Sequence, residues 1–109
     1  MPFDEALAQR VRRILTRESV TAERRMFGGL AFMVKGHMCC GIVGKDLVVR
    51  VGADQHQSAL ARPGARPMDF TGKSMKGFVY AGPTGYRTQA DLQRWIRRGL
   101  SFVLALPPK

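Results

Sequence analysis

Three residues near the middle of the chain carry the side chains most able to bind a metal ion: His37, Cys39 and Cys40. Residues two apart on a strand point to the same side, so His37 and Cys39 would share one face. A structural zinc ion needs four ligands, and the second histidine, His56, has no cysteine beside it. Only a symmetric dimer would bring together two pairs of His37 and Cys39, one from each subunit, to give four ligands. The alternative is that both cysteines are small buried apolar residues that stay free thiols, and we expect no metal and no cofactor.

The residue pattern offers no constellation for nucleophilic or acid–base catalysis. His56 lies between Asp54 and Ser58, but residues two apart on a helix do not face each other. Residues 71–74 read TGKS, which is the ending of a phosphate-binding loop, but Pro67 stands where the first glycine of that motif belongs. We therefore expect a protein that is not an enzyme. A metal protein or enzyme built on His37 and Cys39 is the less favoured alternative.

Positive charge is the compositional feature that points to a partner. The 109 residues include 18 Lys and Arg against 8 Asp and Glu, which gives a formal net charge of +10. Such an excess attracts nucleic-acid phosphates, acidic proteins or anionic lipid heads, although arginines also decorate solvated helix faces. The candidate contacts to nucleic acid or a protein partner are arginines grouped in two amphipathic segments and one pair: Arg10, Arg13, Arg17, Arg24, Arg25, Arg94, Arg97 and Arg98.

Length and composition indicate one globular domain. A chain of this size buries roughly two-thirds of its unfolded surface, and 45% apolar residues can fill such a core without metal or disulfide support. No apolar run reaches the length that spans a bilayer, and the first residues lack the pattern of a secretory signal. We expect a soluble cytoplasmic protein with no membrane partner.

Hydrophobic periodicity predicts the order of the elements. It indicates a helix over residues 3–17, three strands within 25–51 and a short helix over 53–61. Two strands follow over 66–70 and 77–81, with a loop at 71–76 between them, and a last helix runs from the cap Thr88 to about Leu106. This order, α-βββ-α-ββ-α, predicts a two-layer α+β domain with a five-stranded antiparallel sheet and helices packed on it. Both faces of the first strands are apolar, so either helices or a second subunit should cover them, and we expect a homodimer.

Two blocks of sequence carry a resemblance to a known family. Residues 24–33 (RRMFGGLAFM), followed by 47–51 (LVVRV), resemble the TfoX/Sxy amino-terminal domain, and residues 66–80 with the helix around Leu92 and Trp95 are similar to its small stand-alone members. The resemblance implies an α+β domain without catalytic residues. It also implies, for the full-length relatives, coactivators that work with the cyclic-AMP receptor protein at competence promoters. This chain stops at Lys109, so the resemblance predicts a stand-alone domain without their helical carboxy-terminal domain.

These observations lead to one expectation about function. Residues 1–109 form a single TfoX N-terminal-like domain, a non-catalytic regulatory or protein-interaction module whose partner is a protein, with the transcription machinery as a candidate. Direct nucleic-acid binding by the basic helix faces is the alternative. Around residues 26–29 (MFGG), we favour an architectural role for the glycines over a docking lip beside Arg24 and Arg25.

Overall fold

The structure, a computed structural model, describes residues 3–17, 21–26, 28–70 and 73–107. Three helices and six strands follow one another within these residues: α1 (Glu5–Leu15), β1 (Thr21–Met26), β2 (Gly29–Val34), β3 (His37–Val43), β4 (Asp46–Arg50), α2 (His56–Leu60), β5 (Ala65–Phe70), β6 (Lys73–Ala81) and α3 (Gln89–Leu104). The predicted α+β class with an antiparallel sheet and three helices is confirmed.

The sheet has six strands instead of the predicted five, in the order β1-β2-β3-β4-β6-β5. The additional strand is β1, which pairs with β2 along its whole length, from Thr21 opposite Val34 to Met26 opposite Gly29. Its sequence, TAERRM, has no apolar alternation, and the side chains of residues 22–25 are exposed. Backbone hydrogen bonds to β2 define this edge strand, so a hydrophobicity pattern cannot reveal it.

The predicted loop over residues 71–76 is wrong in its extent, because β6 already begins at Lys73. Phe70 pairs with Lys73 and Asp69 with Ser74, so β5 and β6 form a hairpin, and Thr71 and Gly72 lie outside the described residues. Again the backbone pairing continues where the apolar pattern stops. Strand β5 is at the sheet edge, where its proline can be accommodated without losing a central hydrogen bond.

All three helices contribute to one apolar core on one side of the sheet. Helices α1 and α3 each present a buried stripe, which includes Leu7 and Val11 in α1 and Leu92 and Ile96 in α3, and the short α2 adds Ala59. The sheet contributes large buried side chains such as Phe32, Ile42, Leu47 and Val49 to the same core. The fold therefore has two layers, with one face of the sheet left for a smaller cluster.

The opposite face of the sheet carries that smaller apolar cluster. Ala31, Met38, Val48 and Met68 are buried there, and Met33, Val43, Phe78 and Tyr80 pack against them while half-buried. This accounts for the apolar residues that the sequence shows on both faces of the strands. The homodimer stays a prediction, because a cluster on one face does not identify what covers it.

A β-bulge in β3 changes the expected position of the cysteines. Met33 pairs with Met38 and Phe32 with Cys40, so Cys39 is an extra residue between two regular pairs. Both cysteines consequently belong to the core beneath the helices. Helix α3 crosses closely here: a β-carbon on Gly99 would lie 2.7 Å from the carbonyl oxygen of Cys39.

The glycines of residues 26–29 have an architectural role, as expected. Gly28 has a φ of +73°, and a β-carbon on Gly29 would overlap the backbone carbonyl oxygen of Ile42. A side chain at Gly29 would thus prevent β2 from approaching β3. Phe27 lies outside the described residues.

Candidate functional site: a groove along helix α3

The candidate metal ligands do not converge among the described residues. The Nε2 atom of His37 lies 2.6 Å from the carbonyl oxygen of Pro107, to which it can donate a hydrogen bond. Cys39 and Cys40 are buried free thiols, and a hydrogen bond with Cys39 together with burial raises the pKa of Cys40. No three His, Cys, Asp or Glu side chains within the described ranges form a group that could hold a metal ion.

A different site lies along α3, where a groove of about 1080 Å³ is open at the surface. One wall consists of α3 residues that recur every three or four positions, so their side chains lie on one side of the helix. The remaining lining comes from residues 51–55, from Arg62 and Pro63, and from Thr84 and Gly85. The groove is thus assembled from four separate segments of the chain.

Aromatic side chains form the base of the groove. Trp95 is buried, and its Nε1 donates a hydrogen bond of 3.1 Å to the carbonyl oxygen of Gly85, which fixes the indole. Phe102 is half-buried, two turns further along the helix. It packs on Gly52, where a β-carbon would overlap the phenyl ring and where the φ of +86° already requires glycine. The apolar base is therefore held in place by the fold.

Arginines dominate the rim of the groove. Arg62, Arg94, Arg97 and Arg98 line it against the two acidic residues Asp54 and Asp91, which leaves a formal excess of two positive charges. Arg94 donates a 2.8 Å hydrogen bond to Asp91, and the guanidinium carbon of Arg98 lies 5.7 Å from the centroid of the Trp95 ring. With the residues that the structure describes, Arg62, Arg97 and Arg98 form no ion pair. Arg62 and Arg97 are therefore available to an anionic ligand, and Arg98 can bind one while its guanidinium lies against the Trp95 ring.

The predicted contact arginines of α1 and β1 lie apart from this groove. Arg10 is used inside the fold, because it donates to the carbonyl oxygen of Tyr86 at 3.0 Å and to Gln89 at 3.2 Å. The other members are exposed and do not line the groove: Arg13, Arg17, Arg24 and Arg25. Of the eight predicted contacts, the structure brings together Arg94, Arg97 and Arg98.

Tyr86, the partner of Arg10, connects separate segments of the fold. Its hydroxyl donates a 2.6 Å hydrogen bond to the carbonyl oxygen of Lys45, and the Arg10 guanidinium carbon lies 5.7 Å from its ring centroid. Burial, followed by the charges of Asp4 and Asp46, raises the pKa of Tyr86, so it stays protonated and keeps donating. These contacts tie α1 and the start of α3 to the β3–β4 turn.

Most of the lining residues were not among the predicted contacts, and Arg62, Asp54 and Phe102 are three of them. Arg62 stands alone before a Pro-Gly turn, and Asp54 is one of several scattered acidic residues, so neither carries a signal in the sequence. Phe102 does carry one, because an aromatic residue at the border of the apolar stripe of a helix can face outward. Its neighbours in space come from a segment fifty positions earlier and are not readable from that pattern.

The model of the TfoX N-terminal domain family matches residues 14–103. The chain belongs to the TfoX N-terminal domain family. The match spans both walls of the groove except for Ala105, and membership of this family indicates a regulatory or interaction module. Neither a curated protein nor a solved structure matches this TfoX N-terminal domain. None of the helices in the described part of the chain has the length and apolar character needed to cross a membrane.

Proposed function

We propose that this TfoX N-terminal domain is a non-catalytic regulatory module of the cytoplasm that holds a protein of the transcription machinery in the α3 groove. The observation that supports this role is the groove itself, in which arginines without ion pairs in the described structure stand over a fixed aromatic base. Such a combination of aromatic and arginine side chains is typical of protein-binding surfaces.

The chemistry of the lining residues favours binding over catalysis. Neither histidine nor cysteine is part of the lining among the described residues, and the hydroxyl groups present are those of Thr84 and Ser101. Arginine stays protonated at physiological pH, so it binds anions but does not act as a base. A hydroxyl is a poor nucleophile unless a base activates it, and of the two carboxylates in the lining, Asp91 already accepts a hydrogen bond from Arg94.

A genetic experiment tests the regulatory role. Transcript levels are compared between cells that lack this chain and cells that carry the wild type, the groove variant Arg62→Ala/Arg97→Ala or the control variant Arg13→Ala/Arg17→Ala. All four arginines are exposed and each variant removes two charges, so only the position differs. We expect loss of the chain to change a defined set of transcripts, which the wild type and the control restore and the groove variant does not. Unchanged transcripts on deletion, or full restoration by the groove variant, contradict the proposal.

Direct nucleic-acid binding is a second candidate, and the exposed arginines outside the groove support it. Arg13 lies in the last turn of α1, Arg17 follows the end of that helix, and Arg24 lies on strand β1. Binding through phosphate contacts predicts that the affinity for duplex DNA falls steeply with added salt and that Arg13→Ala/Arg17→Ala weakens it. No detectable binding at low salt rules this candidate out.

A further inference from the structure

We infer that the α3 groove binds a short acidic segment of its partner protein, with carboxylates on the arginines of the rim and an apolar side chain against Trp95 and Phe102. The inference rests on the proposed function and adds the chemistry of the partner. It follows from charge complementarity, from the dimensions of the groove and from the two aspartates within it.

The charges of the rim match carboxylates. A guanidinium group is planar and binds a carboxylate through two parallel hydrogen bonds, which suits it to Asp and Glu side chains. Arg62 belongs to the segment after α2, whereas Arg97 and Arg98 belong to α3. A ligand in the groove therefore meets positive charge from two separate segments of the fold.

The dimensions of the groove suit a peptide better than a small molecule. Its 1080 Å³ is slightly above the range of roughly 300–1,000 Å³ for small-molecule pockets. The lining stripe runs from Asp91 of α3 to Ala105, the residue that caps the helix, which corresponds to about 20 Å along the helix axis. Trp95 and Phe102 are about 10 Å apart along that axis, so one extended or helical segment can reach both.

Asp54 and Asp91 disfavour a polynucleotide in this groove. Every nucleotide carries a phosphate charge, so a strand that follows the groove would bring phosphates close to these carboxylates as well as to the arginines. A peptide can place its acidic side chains opposite the arginines alone and neutral residues elsewhere. A second copy of this chain is also disfavoured, because its net charge of +10 repels a basic groove.

A selection from a display library of random peptides on the wild-type protein tests the partner chemistry. We expect the enriched peptides to combine Asp or Glu with an aromatic or large aliphatic residue, and we expect no such enrichment on the variant Arg62→Ala/Arg97→Ala. Enrichment of neutral or basic peptides, or the same acidic peptides on both proteins, overturns the inference. A total lack of enrichment on the wild type does so too.

The enriched peptide is then titrated into the protein while the emission of Trp95 is recorded, because Trp95 is the single tryptophan and lies in the groove. We expect the groove variant to weaken binding at least about tenfold and the control Arg13→Ala/Arg17→Ala to change it less than about twofold. Asp54→Asn removes a negative charge from the lining and should tighten binding. Weaker binding to Asp54→Asn, or equal losses in both double variants, contradicts a carboxylate ligand in this groove.

A single-stranded oligonucleotide of similar length serves as the competing probe. We expect it to leave the Trp95 emission unchanged at concentrations where the peptide saturates the protein, and displacement of the peptide by the oligonucleotide overturns the inference. The experiments distinguish failure of the regulatory role from failure of the acidic-segment inference. Transcripts that depend on Arg62 and Arg97 without any acidic peptide binding would preserve the regulatory role and remove this inference. Binding of an acidic peptide without transcript changes would remove the regulatory role and leave the peptide-binding groove.

Discussion

Helices α1 and α3 both lay an apolar stripe on the same sheet face and both carry arginines, yet they use those arginines differently. On α1, Arg10 binds Tyr86 and Gln89, and Arg12 makes hydrogen bonds of 2.6 and 2.8 Å to Glu23. On α3, Arg94 pairs with Asp91 of its own helix, while Arg97 and Arg98 line the groove and form no ion pair within the described structure. An arginine on a helix can thus stabilise the fold or bind a ligand, and its contacts decide which. Mutations on the two helices test this difference.

The largest expected effect comes from Trp95, where α3 serves both the core and the groove. Trp95→Ala should lower the free energy of unfolding by about 3–5 kcal/mol, because a buried aromatic side chain is lost and a cavity remains. Urea unfolding followed by far-ultraviolet circular dichroism measures this. A loss below about 1 kcal/mol would show that Trp95 does not anchor α3 to the sheet.

The next effect concerns the close crossing of α3 over β3. Gly99→Val should destabilise the fold by about 1–3 kcal/mol, since the added carbons would collide with the backbone of Cys39. Ser101→Val introduces the same side chain on the exposed side of the helix and should cost less than about 1 kcal/mol. Equal melting temperatures of the two variants would contradict the packing described for this crossing.

The direct comparison of the helices uses one arginine from each. Arg10→Ala should lower the free energy of unfolding by about 1–2 kcal/mol, because its bonds to Tyr86 and Gln89 are lost. Arg97→Ala should change it by less than about 0.5 kcal/mol while weakening ligand binding. Chemical denaturation of both variants provides the measurement, and the reverse order of stabilities would show that the assignment of structural and binding roles is wrong.

The smallest effect is the pH dependence of the Arg12–Glu23 pair. The hydrogen bond from Arg12, with a smaller coulombic contribution, lowers the pKa of Glu23 from its ordinary value of 4.5. The pair therefore stabilises the fold above pH 4.5, and this contribution is lost as the pH falls through the lowered pKa of Glu23. Because both side chains are partly exposed, Glu23→Gln should cost only about 0.2–1 kcal/mol at neutral pH. The stabilities of wild type and variant should converge in acid; a constant difference contradicts the role of the ion pair.

Local pattern was sufficient for the helices and the inner strands. The cap of α3 was predicted at Thr88, and its side chain accepts a 3.0 Å hydrogen bond from the backbone N–H of Asp91. Apolar alternation located β2 and β4, because one face of each is buried in the core. The polar edge strand β1 and the bulge at Cys39 were not predicted, since both depend on hydrogen bonding with a neighbouring strand.

The sequence by itself determined the α+β class, the family and the arginines of α3 as candidate contacts, because periodicity, caps and motifs are local properties of the chain. Only the tertiary structure decided that Arg10 serves the fold and that Arg62 joins Arg97 and Arg98 around Trp95 and Phe102. The groove brings together segments that begin at Val51 and end at Ala105. Contacts between such distant segments depend on how the helices pack on the sheet, which no local pattern of residues specifies.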